Sequence, residues 1–279
     1  MKKTLFGILA LALTFALSAC GASSGSSAAS TNESSETTVL RVGASPTPHA
    51  EILNAVKDNL KEQSGIDLEV VEYSDYVIPN TAVEEGEDQA NYFQHTPYLD
   101  TFNTENGTHL VSVAKIHYEP FGLYSQTVKN ISDLPDGAKI AIPNDGSNEA
   151  RALYLLEEQG LITLNHEAGF QATVLDITSN PKNLQFEEVA AELVARTLDD
   201  VDGAIVNGNY ALAAGLKIED AIATESAESE AAQTYANILV VEQGHENDEA
   251  VQALVKALTS DAARDFINET YHGAVVPLF

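Results

Sequence analysis

A chain of 279 residues with 42 acidic and only 14 basic side chains has a formal charge of −28. It is repelled by phosphate backbones, which excludes nucleic acid as a partner. Its single cysteine, Cys20, excludes an internal disulfide.

Lys2 and Lys3 precede an apolar run from Leu5 to Leu17 that ends in Leu17-Ser-Ala-Cys20. A membrane span needs ~20 apolar residues, so this shorter run reads as an export signal, residues 1–19. Cys20, directly after two small residues, resembles the lipidated cysteine of a bacterial lipobox. Two acyl chains would anchor it stably. Removing the signal takes two lysines with it and leaves a more acidic chain. From Gly21 to Thr38 no aliphatic side chain exceeds alanine, which predicts a flexible tether, residues 20–38 with the cysteine, spanning roughly 25 Å. Gly21-Ala-Ser23-Ser-Gly25 matches a nucleophile elbow in letters only, because no strand precedes it and no helix follows.

The body begins with a short apolar strand, Val39 to Gly43. A helix with Ile52, Leu53, Val56 and Leu60 on one face follows, and then an alternating strand through Ile66, Leu68 and Val70. This β-α-β unit predicts an α/β fold with parallel strands. Asn80 reads as a helix cap. The acidic runs Glu84 to Asp88 and Asp199 to Asp202 read as solvated faces. Further on, Lys139 to Pro143 leads through Asn144-Asp-Gly146-Ser147 into a helix bearing Ala152, Leu153, Leu155 and Leu156. Gly203 to Val206 opens likewise into Asn207-Gly-Asn209-Tyr210. Polar residues at the carboxyl ends of such strands are where open α/β sheets bind ligands. Extended segments near Glu119 to Tyr124 and Tyr235 to Val240 predict two crossings between lobes. The expected division is 39–122 plus 239–279 for one lobe and 123–238 for the other.

Asn91-Tyr-Phe93-Gln-His95-Thr-Pro97-Tyr98 crowds aromatics and a histidine into a strand-to-helix junction. This segment fits a series in conserved-looking order: Tyr73-Ser-Asp75-Tyr76-Val-Ile-Pro79-Asn80, Ile116-His117-Tyr-Glu-Pro-Phe-Gly122, Asn144-Asp with Asn148 and Arg151-Ala-Leu, Asn207-Gly-Asn209-Tyr210, Tyr235-Ala-Asn237 and the closing Val275-Val-Pro277. In these segments the chain resembles the NlpA family of methionine-binding lipoproteins, the receptors of methionine ABC importers.

The resemblance implies a two-lobed, periplasmic-binding-protein-like fold, each lobe a mixed sheet flanked by helices, held at the extracytoplasmic face of a cell membrane. It implies a small-molecule ligand, L- or D-methionine or a Met-containing dipeptide, a permease partner and a monomeric body. Tyr76, Phe93, His95 and Tyr98 would surround the ligand side chain. Arg151, Asn209 and Asn237 would hold its carboxylate and amino groups. A thioether suits an aromatic wall, and a guanidinium fork suits a carboxylate. Arg151, expected in about the first helical turn, sits where a helix dipole disfavours a cation. Asn148 and Asn207 read as residues that order adjacent loops. Gly146 and Ala150, expected in a loop, depart from the family's usual residues.

No cofactor, metal or catalysis is expected. The seven histidines form no H-x-x-x-H pair, and no Rossmann, P-loop or metalloprotease motif occurs. The competing readings are a zinc- or manganese-binding lipoprotein with ligands scattered along the chain, and a secreted hydrolase with dispersed catalytic residues.

Overall fold

The computed structural model describes residues 38–226 and 233–279. The export signal and Cys20 lie outside the described residues, as does the expected tether up to Thr37. The tether's last residue, Thr38, opens the first strand.

That strand, β1 (Thr38–Ala44), pairs in parallel with β2 (Ile66–Glu72) and β3 (Ala90–His95). Between β1 and β2 runs α1 (Glu51–Ser64), which buries Ile52, Leu53, Val56 and Leu60, the face its spacing predicts. Full burial of each such side chain contributes ~1.5–3 kcal/mol. The helix stops at Gly65, whose φ of 72° lies in the left-handed region that glycine enters without Cβ strain. Further along, β4 (Leu110–Tyr118) and β12 (Asn237–Glu242) add antiparallel strands, and β13 (Val276–Pro277) closes the edge. The sheet order is β13-β4-β12-β3-β1-β2.

A second sheet has the order β11-β5-β10-β6-β9, drawn from β5 (Gly122–Tyr124), β6 (Lys139–Pro143), β9 (Gln185–Val189), β10 (Gly203–Val206) and β11 (Ala223–Thr224). Strands β9, β6 and β10 are parallel, and β5 runs antiparallel to both of its neighbours, β10 and β11; β7 (Thr163–Leu164) and β8 (Ile177–Ser179) form a separate antiparallel pair. The chain is therefore an α/β protein of two mixed sheets. It passes from the first sheet to the second between Tyr118 and Gly122, and it is back in the first from Asn237. The helices Glu249–Leu258 and Asp261–Tyr271 bury Val251, Leu254, Ala263 and Ile267 in the first sheet's core, beside α1 residues such as Leu53 and Val56.

Several expectations need correcting. Asn80 is no cap: it is fully buried inside the helix Ile78–Glu84, with its amide on Gln94. The cap role falls to Asp75, whose carboxylate accepts from the Val77 and Ile78 N–H groups. The acidic run ending at Asp88 is not wholly solvated, because Asp88 is buried. It accepts from Arg41 Nε at 2.6 Å and from the Tyr73 hydroxyl at 2.9 Å. Asp202 in the second run accepts from the Lys139 N–H. Gly146 and Ala150 lie in a helix, α4 (Gly146–Glu158), not a loop.

Candidate functional site

The carboxyl ends of the parallel strands in both sheets converge on one cavity. β3 ends at His95, whose imidazole accepts from the Tyr98 N–H and so caps the helix Thr96–Asn106. β6 leads to Asp145, the side-chain cap of α4, and β10 leads into the short helix Gly208–Ala213. All seven residues singled out from the sequence, Tyr76, Phe93, His95, Tyr98, Arg151, Asn209 and Asn237, line this cavity. Glu119, Asn148, Asn207 and Gly208 join them. The space is tight: about 20 Å³ is open to the centres of water-sized spheres, close to what one water needs. An amino acid enters only if the walls move apart.

The aromatic side is a single cluster. Tyr76 packs on Phe93 at 5.6 Å and on Tyr98 at 5.7 Å between ring centroids, and Phe93 meets Tyr98 edge-on at 6.0 Å. Such pairs add ~0.5–1.5 kcal/mol beyond area burial and fix the wall's shape. His95 has both nitrogens engaged: Nδ1 accepts from Tyr98, and Nε2 lies 3.2 Å from Asn148 Oδ1 as donor. Burial first, then the Arg151 charge, lowers its pKa to about 3, so the ring is neutral.

Arg151 lies in the second turn of α4 rather than the first, and it is buried. It forms a buried ion pair. Nε and Nη2 grip the Glu225 carboxylate at 2.8 and 2.6 Å, and Nη2 also donates to the Glu119 carbonyl. Phe121 and Tyr235 sandwich the guanidinium, 4.0 and 4.3 Å from their ring centroids. Beside this cation the Glu225 carboxyl is held below its ordinary pKa despite its burial. Among the described residues Nη1 makes no hydrogen bond.

Asn209 accepts from the Tyr76 hydroxyl at 2.6 Å, and Asn237 Oδ1 pairs with His49 Nε2 at 2.9 Å. Each amide oxygen is thereby engaged. The amide N–H groups make no hydrogen bond among the described residues. Several bonds span the two sheets' residues: Tyr76 to Asn209, Tyr210 to the Ser74 carbonyl, His95 to Asn148, and Gln171 to Thr101.

Behind the cavity lies a buried group that sequence reading gave no role. Glu119 Oε1 lies 2.7 Å from His117 Nε2 and 3.4 Å from His49 Nε2, and the other nitrogen of His117 receives the Tyr92 hydroxyl. Burial lowers His49 to about 4 and His117 to about 3, while it raises Glu119 above its ordinary range. The i, i+2 spacing of His117 and Glu119 was the available signal, because alternation puts both on one side of an extended segment. Glu225 had none, being one acid among many in a polar stretch.

The profile of the NlpA lipoprotein family matches residues 40–279. Membrane lipoprotein TpN32 of Treponema pallidum is 46% identical over 84% of this chain and 86% of its own length. The methionine-binding lipoprotein MetQ of Bacillus subtilis is 41% identical over 100% of this chain and 99% of its own. A nutrient-binding protein from Burkholderia cenocepacia, solved bound to methionine, is 43% identical and superposes with a TM-score of 0.82 over 86% of this chain and all of that one. Aligned from the first strand to the last residue, the chain belongs to the NlpA lipoprotein family.

Proposed function

We propose that the protein is the lipid-anchored, extracytoplasmic binding component of an ABC importer, that it captures methionine between its lobes and delivers it to a membrane permease. The observation that carries this reading is the pairing, in one buried cavity, of an aromatic wall with opposed polar groups. Tyr76, Phe93, His95 and Tyr98 suit a thioether, while Arg151, Asn209 and Asn237 offer N–H donors for a carboxylate. The methionine seen with the Burkholderia relative and the name of the Bacillus relative supply the ligand. No helix among the described residues is long and apolar enough to cross a membrane, so the anchor in this reading is Cys20. Cys20→Ala should leave ligand affinity unchanged and move the protein out of washed membranes.

Calorimetric titration with L-methionine, D-methionine and glycyl-methionine tests the ligand, together with mass spectrometry of whatever the protein releases on denaturation. Saturable one-to-one binding of at least one of the three is expected. Failure of all three to bind would sink the reading. One observation favours a second reading, a metal-ion receptor: donor atoms of buried His49, His117 and Glu119 lie within 4.8 Å of one another. Against it, the 2.7 Å separation of His117 and Glu119 is that of a hydrogen bond and leaves no room for a shared ion without spreading. Metal content after dialysis against zinc separates the two.

A further inference from the structure

Of the bonds between the two sheets' residues described above, most engage the cavity wall. Tyr76 to Asn209 and His95 to Asn148 do so directly, and Tyr210 to Ser74 does so through the Tyr210 ring, which packs 5.0 Å from that of Tyr76. The bond from Gln171 Nε2 to Thr101 Oγ1, 2.7 Å long, stands apart. Neither of its residues lines the cavity. Thr101 lies on the helix Thr96–Asn106, which is capped by His95 and carries Tyr98 into the cavity. Gln171 comes from the other lobe, where it ends the short helical stretch His166–Gln171.

That stretch is fastened to α4, the helix that holds Arg151. The Tyr154 hydroxyl donates to the Gly169 carbonyl at 2.9 Å, the His166 ring stacks on that of Tyr154 at 5.7 Å between centroids, and the Val174 N–H donates to Glu149 at 2.9 Å. At Gly169 the backbone leaves helical geometry, with φ 53° and ψ −128°, a region that L side chains rarely adopt. Phe170 and Gln171 follow directly. Phe170, 48% exposed, sets its ring edge-on to Tyr235 at 6.0 Å, and Tyr235 in turn covers the Arg151 guanidinium. One residue thus abuts the cover of Arg151, and the next reaches the helix that bears part of the aromatic wall.

A space of about 20 Å³ admits an amino acid only after the lobes part, and a bond from one lobe to the other must break when they do. It therefore belongs to the closed arrangement alone. Whatever it contributes favours closure, and closure is linked to occupancy, so it multiplies the affinity of each ligand by one common factor.

We propose that residues 166–176 form a clasp, in which Gln171 reaches across to Thr101 and raises the affinity for every ligand of the cavity without touching any of them. Gln171 and Thr101 are then positioning residues that act through the two lobes. The clasp rests on the methionine-receptor reading above and adds to it a determinant outside the binding cavity.

The test is a double-mutant cycle in the full chain: wild type, Gln171→Ala, Thr101→Val and the double variant, each titrated calorimetrically with L-methionine, D-methionine and glycyl-methionine. Each single variant should lose about two- to tenfold in affinity, the range of one neutral hydrogen bond, and by the same factor for every one of the three that the wild type binds. The double variant should lose no more than either single one, because both remove the same bond. Thr101→Ser, which keeps the hydroxyl, should bind as the wild type does. Thermal melts supply a readout that a merely structural part would not give: ligand-free variants should melt with ligand-free wild type, and only the saturated variants should melt lower than saturated wild type. Unchanged affinity in both single variants, a double variant whose loss is the product of the two, or a factor that differs between ligands overturns the clasp. So does an equal drop in melting temperature with and without ligand, or a Thr101→Ser protein as weak as Thr101→Val. A wild type that binds none of the three compounds is a separate result: it removes the methionine reading, and the clasp's part in it.

Discussion

Arg151 lines the cavity and pairs with Glu225, and in the proposed reading the two placements predict different consequences for different substitutions. Arg151→Ala removes the donor edge facing the cavity and also strands the buried Glu225 carboxylate. Breaking a buried pair from one side costs ~3–5 kcal/mol, so the variant should both lose ligand affinity and melt at a lower temperature. Glu225→Gln keeps Arg151 in place and should cost stability with a smaller effect on binding. Parallel calorimetry and thermal melts check this, and an Arg151→Ala protein within fivefold of wild-type affinity would take Arg151 out of the site. Histidines supply a second expectation. His49, His95 and His117 have pKa values lowered to about 4, 3 and 3, chiefly by burial, while His245 is raised by its hydrogen bond to Asp248. By NMR the three buried rings should show no titration between pH 8 and 5, and His245 should titrate above its ordinary midpoint. The unfolded chain protonates the same three near 6.5. Their contribution to stability is therefore complete above 6.5 and declines as the pH falls toward 3–4. Raised carboxyls such as Glu149, at about 7, act oppositely over part of that window, their share being lost as pH rises through the folded value. Arg151 stood out in the sequence because a cation near a helix start needs a reason. Glu119 did not, since only the fold brings His49 and His117 against it.

Among the elements, those with one strong period were legible: α1 from its apolar face, β2 from alternation, and the Phe93-to-Tyr98 junction from its aromatic crowding. Strand β4 was not seen, because Val111, Val113 and Ala114 mix with Ser112 and Lys115 in no clean alternation and its pairing with β12 carries register shifts. The helix around Asn80 was misjudged because a buried side-chain network, Asn80 with Gln94 and Asn91, overrides the cap preference of asparagine. The junction of β10 with the helix Gly208–Ala213 carries its own prediction. A methyl group at Gly208 would press on Glu119, which is held by its hydrogen bond with His117. Gly208→Ala should fold, as its φ requires no glycine, but lose ligand affinity by an order of magnitude or more. Titration of this variant beside a Gly137→Ala control, remote from the site, separates crowding from general strain.

Across the molecule, the two sheets meet at the edge where their parallel strands end, and the chain leaves the first sheet after Tyr118 and is back in it from Asn237. Two passages between the sheets and a cavity walled from both sides suit a hinge, with closure set by contacts a ligand makes to both lobes. X-ray scattering should therefore give a smaller radius of gyration for ligand-saturated than for verified ligand-free protein; equal values would remove the hinge. The α/β class was readable because each strand-helix unit is local in sequence. The partnership of Arg151 with Glu225, 74 positions apart, was not.

The bonds that join the two sheets' residues, from Tyr76 to Asn209, Tyr210 to Ser74, His95 to Asn148 and Gln171 to Thr101, also bear on time. In the proposed reading a molecule held behind them would leave only once they part, so every ligand, however weakly held, would share one ceiling on its escape rate. Hand-over is then a matter of prying the lobes apart rather than of waiting for the cargo to let go, and a receiving membrane protein that grips both lobes would control the moment of release.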